Sequence, residues 1–374
     1  MSINKDRMLN EFNKLISFDS ASFYEDDIAK YLYNKLIDLG LEVYMDKAIE
    51  KLTGRTTDIG NIYGYLKGNI DKEPILFSAH MDTVEPSKNK KAIITGNVVR
   101  ANGSSVLGSD DVTGIVEILE MLEQIKEKSP DHPDIEVIFF VAEEPFCKGS
   151  SVFDFSRVKS KKAYVFDLHG KVGNIAVSAP SIFTFNVSIH GKSAHAGFEI
   201  EKGISSIKIA SNAISKINIG RIDKETTINI GTINGGVLKN IVPETTTIVG
   251  EVRSSNHSKG LALLNDVKKV FQDEANKLGG TIDFNYEENV FAYRIDKDEE
   301  VVKDYLKVID KLGYGNVELV DTFGGSDNNN LNKHGIKGIV VANAMNDIHT
   351  THEYFEIDEL YKAANICLAL ATQK

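Results

Sequence analysis

His80 and Asp82 close an apolar run, Pro74-Ile-Leu-Phe-Ser-Ala-His-Met-Asp-Thr-Val84. A His followed two residues later by an Asp suits a metal site, because the imidazole binds the ion and a carboxylate orients the ring from behind. The same spacing also serves as a plain hydrogen-bonded pair, so the rest of the chain must decide. Further along stand Asp110 with Asp111, Glu143 with Glu144, Asp167, and His349 with His352 and Glu353. Imidazoles and carboxylates without thiolates make a ligand set for Zn²⁺, with Mn²⁺ or Co²⁺ as alternatives. Five or more such ligands exceed one tetrahedral ion. They match two ions about 3.5–4 Å apart that share a carboxylate. Burying Glu143 and Glu144 without compensation would drive at least one pKa up sharply. Next to a dication, one Glu can bind while the other stays free as a general base for water. Singly, each residue has an ordinary explanation. Ser109, Asp110 or Asp111 can cap a helix, adjacent glutamates can be solvated, and loop histidines such as His195 usually are. Their joint occurrence at successive strand ends is what argues for a site.

The elements that must position these residues follow from periodicity. Residues 6–18 and 25–39 predict amphipathic helices, with Met8, Leu9, Phe12, Leu15 and Ile16 on one face and Ile28, Leu32 and Leu36 on the other. Residues 61–66, 74–77, 135–142 and 163–166 predict strands, and 96–100 an arm of a hairpin. The continuous apolar runs predict parallel strands buried on both faces. In such sheets chemistry collects past the carboxyl ends of the strands. A helix is expected after Gly108-Ser-Asp-Asp111, with Ile115, Leu119, Leu122 and Ile125 on its face.

Near residue 180 the pattern changes to alternation at Phe183, Phe185, Val187 and Ile189. A helix over 203–217, strands over 226–233 and 245–252, a helix over 259–278 and a strand over 281–286 follow. That order is the β-α-β-β-α-β ferredoxin-like unit. Helix-strand alternation returns afterwards, with helices over 298–312 and 357–371 and strands over 317–320 and 336–341. The expected fold is α/β: a mixed-sheet domain of residues 1–178 and 291–374, interrupted by a ferredoxin-like lid of residues 179–290.

The 374 residues suit two domains. A net charge of -11 argues against nucleic acid as a partner. Two cysteines, Cys147 and Cys367, make no disulfide framework and suit a reducing cytoplasm. The N-terminal residues lack an apolar signal core, and no apolar run approaches the roughly 20 residues that span a bilayer.

Ser78-Ala-His-Met-Asp-Thr83, Gly108-Ser-Asp-Asp111, Glu143-Glu144, Ala163-Tyr-Val-Phe-Asp167, Gly191-Lys-Ser-Ala-His-Ala-Gly197 and His349-Thr-Thr-His-Glu353 resemble, in order, motifs of the di-zinc metallopeptidases. That family includes tripeptidase T, carboxypeptidase G, aminoacylase and succinyl-diaminopimelate desuccinylase. Asp167 and its context look most like the peptidase T branch. The resemblance implies that His80 and Asp167 hold one zinc, Glu144 and His349 the other, and Asp110 both. Asp82 would orient the His80 ring and Glu143 would be the general base. His349 is preferred to His352 because Glu353 follows it by four residues. His195 matches a lid histidine that serves the oxyanion of the partner subunit. Asn240, Arg253 and the Gly324-Gly325 loop match groups that hold the substrate. Two segments depart from the family pattern: Asp110-Asp-Val-Thr-Gly114 lacks the usual lysine, and Asp167-Leu-His-Gly170 replaces Asp-Gly-Gly.

What the resemblance implies is a cytoplasmic, homodimeric aminopeptidase for short peptides, using two zinc ions, with no nucleic-acid or membrane partner. Two alternatives are an N-acyl-amino-acid deacylase or carboxypeptidase-like amidohydrolase with the same metals, and a metal-binding protein without catalysis.

Overall fold

The computed structural model describes residues 3–315 and 317–372. The chain divides into two compact units: Met1–Ser178 with Arg294–Thr322 and Ser326–Lys374, and Ala179–Tyr293 with Phe323–Gly325.

In the first unit, helix α1 (Lys5–Ile16) starts where the Asn4 side chain accepts from the Arg7 N–H, and it buries Met8, Phe12, Leu15 and Ile16. Helix α2 (Asp26–Asp38) buries Ile28, Leu32 and Leu36. Strand β1 (Glu42–Met45) and helix α3 (Ala48–Thr53) precede β2 (Ile62–Leu66) and β3 (Ile75–His80). Strands β4 (Ala92–Thr95) and β5 (Val98–Ala101) form a hairpin whose turn contains Gly96 at φ +61°. Then come α4 (Ser109–Lys128), β6 (Ile135–Phe140), the single turn α5 (Lys148–Ser151), β7 (Lys162–Leu168) and β8 (Ile175–Ala179).

The second unit holds β9 (Ser181–His190), α6 (Ser206–Ile214), β10 (Gly220–Arg221), β11 (Thr226–Gly235), β12 (Thr245–Ser254), α7 (His257–Leu278) and β13 (Thr281–Val290). Its sheet runs β10-β11-β12-β9-β13, antiparallel throughout. Leaving aside the two-residue β10, this is the ferredoxin-like order. Inward residues Phe183, Phe185, Val187 and Ile189 pack with Ile209 and Ala213 of α6 and with Val267 and Phe271 of α7. A Cβ at Gly250 would lie 2.2 Å from the Phe185 ring, so β12 crosses that ring closely.

The chain then returns to the first unit through β14 (Tyr293–Arg294), α8 (Glu300–Leu312), β15 (Leu319–Asp321), α9 (Asp327–Lys333), β16 (Lys337–Ala342), β17 (Tyr354–Glu356) and α10 (Ile357–Thr372). The large sheet has the order β1-β2-β6-β3-β7-β16-β8-β14, with β15 on β8. Neighbours β6, β3, β7 and β16 are parallel, so their carboxyl ends share one edge. Every residue of β3 and β6 is buried, as two-sided coverage requires. Register sets His80 beside Phe140, and Val341 beside Phe166.

Three local expectations need correction. Strand β6 stops at Phe140 rather than 142, because Ala142 turns at φ +48°. Glu143 and Glu144 therefore sit in a turn and not on the strand. None of Ser109, Asp110 and Asp111 caps α4. Gly108 is its N-cap at φ +81° with no side-chain cap bond, and Asp110 and Asp111 keep non-helical angles within the first turn. The helix expected over 203–217 is shorter, Ser206–Ile214.

Candidate metal centre

His80 ends β3 and presents its two ring nitrogens to different partners. Its Nδ1 lies 2.9 Å from the Asp82 carbonyl oxygen and 3.3 Å from Asp82 Oδ1. That fixes the ring and leaves Nε2 for other work. Nε2 stands 3.0 Å from Asp110 Oδ1 and 3.8 Å from Asp167 Oδ1. The other Asp110 oxygen, Oδ2, is 3.1 Å from His349 Nε2, and that nitrogen is also 3.1 Å from Glu144 Oε2. Asp110 thus offers one oxygen to each imidazole. Ligand atoms of His80, Asp110 and Glu144 lie within 4.8 Å of one another, as do those of His80, Asp111 and Asp167. The His80 side chain is 2% exposed and that of His349 is 50% exposed, so the centre is closed behind and open in front.

Loops past four strands meet here because buried carboxylates collect their backbone N–H groups. Asp82 Oδ1 accepts from the Glu143 N–H at 2.9 Å, and Oδ2 from the Glu144 N–H at 3.2 Å and from the Ser22 hydroxyl at 2.7 Å. Glu353 does the same for the loop before α4. Its Oε2 accepts from the N–H groups of Leu107 (2.6 Å) and Gly108 (2.9 Å), and its Oε1 from the Ser109 hydroxyl (2.6 Å) and the Asp110 N–H (2.9 Å). Asp111 accepts from the His80 N–H at 3.1 Å and from the Asn343 amide. Glu25 accepts from the Ala142 N–H at 2.8 Å. The Asp110–Asp111 peptide is cis.

The electrostatics of the cluster suit a cation. Burial, with neighbouring acids, pushes Asp111, Glu143 and Asp167 well above the usual carboxylate range. Burial and Asp110 lift Glu144 to about 7. Asp110 is held low: burial opposes this, but hydrogen bonds from His349 and His80 outweigh it. Asp110 and Glu144 in turn raise His349 to about 10. Glu144 Oε1 is buried with no hydrogen-bond partner. An orphaned, inward carboxylate oxygen among imidazoles and acids fits a pair of divalent cations, which would offset the burial cost that now favours protonation.

The structure brings His80, Asp82, Asp110, Glu143, Glu144, Asp167 and His349 together in the first unit. His352 is exposed. His195, Asn240, Arg253, Gly324 and Gly325 belong to the second unit. His195 is exposed, its ring lies 4.6 Å from that of Phe198, and its Nδ1 accepts from the Gly197 N–H at 3.1 Å. The Asn240 carbonyl accepts from Ala196. Arg253 pairs through Nε and Nη2 with Glu251 at 2.7 and 2.9 Å and donates from Nη1 to the Phe323 carbonyl at 2.8 Å. Sequence reasoning missed the anchoring carboxylate of Glu25 and the amide of Asn343. It named Asp111 and Glu353 but not the backbone N–H groups that they hold.

A model of the peptidase dimerisation domain (M20) matches residues 177–278, and a model of peptidase family M28 matches residues 61–177. The two meet beside the boundary between the compact units, so neither describes the whole chain. Full-length likeness decides between them. The crystal structure of aminopeptidase PepT from Bacillus cereus is 36% identical, covers 99% of both chains and has a TM-score of 0.92. The chain belongs to the peptidase T branch of the M20 metallopeptidases. The crystal structure of a tripeptidase from Staphylococcus aureus is 31% identical, covers 100% of this chain and 99% of its own, and has a TM-score of 0.94. Protein YqjE of Bacillus subtilis is 38% identical over 98% of both chains, and peptidase T of Fusobacterium nucleatum is 24% identical over 95% of this chain and 85% of its own.

Proposed function

We propose that the protein is a dinuclear metal-dependent aminopeptidase that cleaves short peptides, tripeptides foremost. The observation that carries this is Asp110, whose two oxygens face two imidazoles on opposite sides, with Glu143 in the next loop. His80 and Asp167 would hold one ion, Glu144 and His349 the other, and Asp110 both. Zinc is the proposed metal, with Mn²⁺ or Co²⁺ as alternatives. Bound there, the ions would supply Lewis-acid polarisation of the scissile carbonyl and of water. Asp82 keeps the His80 ring turned so that Nε2 faces the acids. Glu143 takes a proton from water and returns it to the leaving amine. His195 donates to the oxyanion, a contribution on the order of 3 kcal/mol for such a donor. Asn240, Arg253 and the Gly324-Gly325 loop hold the ends of the substrate. For Arg253 that role requires its pair with Glu251 to open.

His195 would act on the site of a second copy of the chain. The dimerisation-domain match and exposed apolar residues of the second unit support a homodimer. Val237 is 93% exposed and Phe198 86%, apolar groups that a second chain would cover. Among the described residues no helix is long and apolar enough to cross a membrane. Both cysteines are free and buried. The unpaired cysteines support a reducing cytoplasm as its location.

Glu143→Gln tests the base. Turnover of a tripeptide should vanish while two ions per chain remain by elemental analysis, and retained turnover removes Glu143 from that role. A second reading, a deacylase or carboxypeptidase-like amidohydrolase, draws support from carboxypeptidase G2 of Pseudomonas, 28% identical over 66% of this chain and 59% of its own. A panel of tripeptides, dipeptides and N-acyl amino acids separates the two, since preference for blocked amines defeats the aminopeptidase.

A further inference from the structure

Behind Glu143 the chain makes an unusual turn. Phe146 and Cys147 both take left-handed backbone angles, φ +68° and +54°, which L side chains rarely adopt. The turn brings Cys147 back onto Glu143. The Cys147 N–H donates to the Glu143 carbonyl. Its Sγ lies 3.3 Å from Glu143 Oε1. The Cys147 carbonyl is gripped from the other side by the Asn330 amide at 3.3 Å and the Ser150 hydroxyl at 3.1 Å, and these two bond each other at 2.8 Å. Asn330 belongs to α9, so the turn is pinned to an element far away in sequence.

A buried cysteine is often a small space-filler. The directed contact with a carboxylate oxygen argues otherwise here. Burial first, then Glu143 and Asp327, push the Cys147 thiol well up. It is therefore an S–H donor and neither a thiolate ligand nor a nucleophile.

We propose that Cys147 is a positioning residue for Glu143: its thiol holds Oε1, so that Oε2 is the oxygen left to face water. The choice of sulfur has a physical reason. A thiol is a weak donor. It fixes the rotation of the carboxylate while taking little of the electron density that a base needs, whereas a strong donor would favour the ionised form and weaken it as a base. The proposal rests on the reading of Glu143 as the base.

The test compares Cys147→Ala, Cys147→Ser and Glu143→Gln in the metal-loaded enzyme with a tripeptide substrate, alongside metal content and thermal midpoint. Misplacing a reacting group by a fraction of its contact distance should lower kcat about tenfold in Cys147→Ala, with KM and metal content within about twofold. Cys147→Ser keeps a donor, though a stronger one, and should recover part of the loss but not all of it. A kcat for Cys147→Ala within about twofold of wild type overturns the proposal. So does a serine variant as slow as the alanine one, which would show that only volume matters. If Cys147→Ala fails to fold, Asn330→Ser, which removes one of the two donors to the Cys147 carbonyl, should show a smaller drop of kcat alone, and no drop overturns the proposal. Retained turnover in Glu143→Gln would instead sink the base assignment, whatever the cysteine variants do.

Discussion

Glu353 shows how much a single carboxylate can organise. Four donors from residues 107–110 converge on its two oxygens, and Asp110 takes its direction from that loop. Replacing one oxygen by an amide sets an NH₂ group against backbone N–H donors. Glu353→Gln should weaken metal binding about 10–100-fold, the usual effect of removing a group that orients a ligand, as competition titration against a chelator would measure. Asp134, away from the centre, gives a pH effect of defined sign. Burial raises its carboxyl, but the Tyr65 hydroxyl, the Gly68 N–H and Lys67 more than reverse this and hold it at about 2. Its unfolded value is about 3.9. The stability it contributes is whole above pH ~4 and disappears as pH falls toward ~2. The gap in urea midpoint between wild type and Asp134→Asn should therefore close over that window. The nearness of His80, Asp110, Glu144, Asp167 and His349 was legible because the first four follow or close buried apolar runs and the fifth belongs to a motif. Glu25, Asn343 and the anchoring role of Glu353 were not, since each works by reaching a backbone N–H whose position only the folded chain defines.

At the scale of elements, the buried strands were plain in the sequence and α9 was not. Asp327–Lys333 reads Asp-Asn-Asn-Asn-Leu-Asn-Lys, with one apolar residue, so no periodicity marks it. The Asn329 side chain, which accepts from the Ser326 N–H at 3.0 Å, and the Asn328 amide on the Gly338 carbonyl hold it instead. Strand β1 and helix α3 were missed for the opposite reason: they are too short for a period to show. Helix α4 packs so closely on β7 that Gly114 has no space for a side chain. A Cβ there would lie 2.4 Å from the Phe166 carbonyl and 2.6 Å from Asp111 Oδ1. Gly114→Ala gains about 1 kcal/mol in helix propensity. It loses about 1–3 kcal/mol to overpacking against backbone that cannot move freely. The net should be a lower urea midpoint together with weaker metal binding, since Asp111 is the group displaced.

For the whole molecule, the ferredoxin-like insertion was legible as a change of period, from continuous apolar runs to strict alternation, because one sheet is covered on both faces and the other on one. The two units should also differ in their response to metal. All of the clustered acids lie in the first unit. An ion present at a hundred times its dissociation constant stabilises the fold that binds it by about 2.7 kcal/mol. Calorimetry with and without chelator should shift one unfolding transition and leave that of the second unit in place. A shift of both transitions by equal amounts would contradict this.

The centre also has an order of manufacture. Six of its residues, from His80 to Asp167, leave the ribosome before the inserted unit is made, while His349 and Glu353 come only after it. A nascent chain thus carries a nearly complete set of acids with neither the second imidazole nor the acceptor that sets the Asp110 loop. Ion choice then falls to the finished polypeptide, in whatever solution surrounds it, and not to the growing one. Chains stalled short of residue 349 should retain no metal through gel filtration, whereas released full-length chains should.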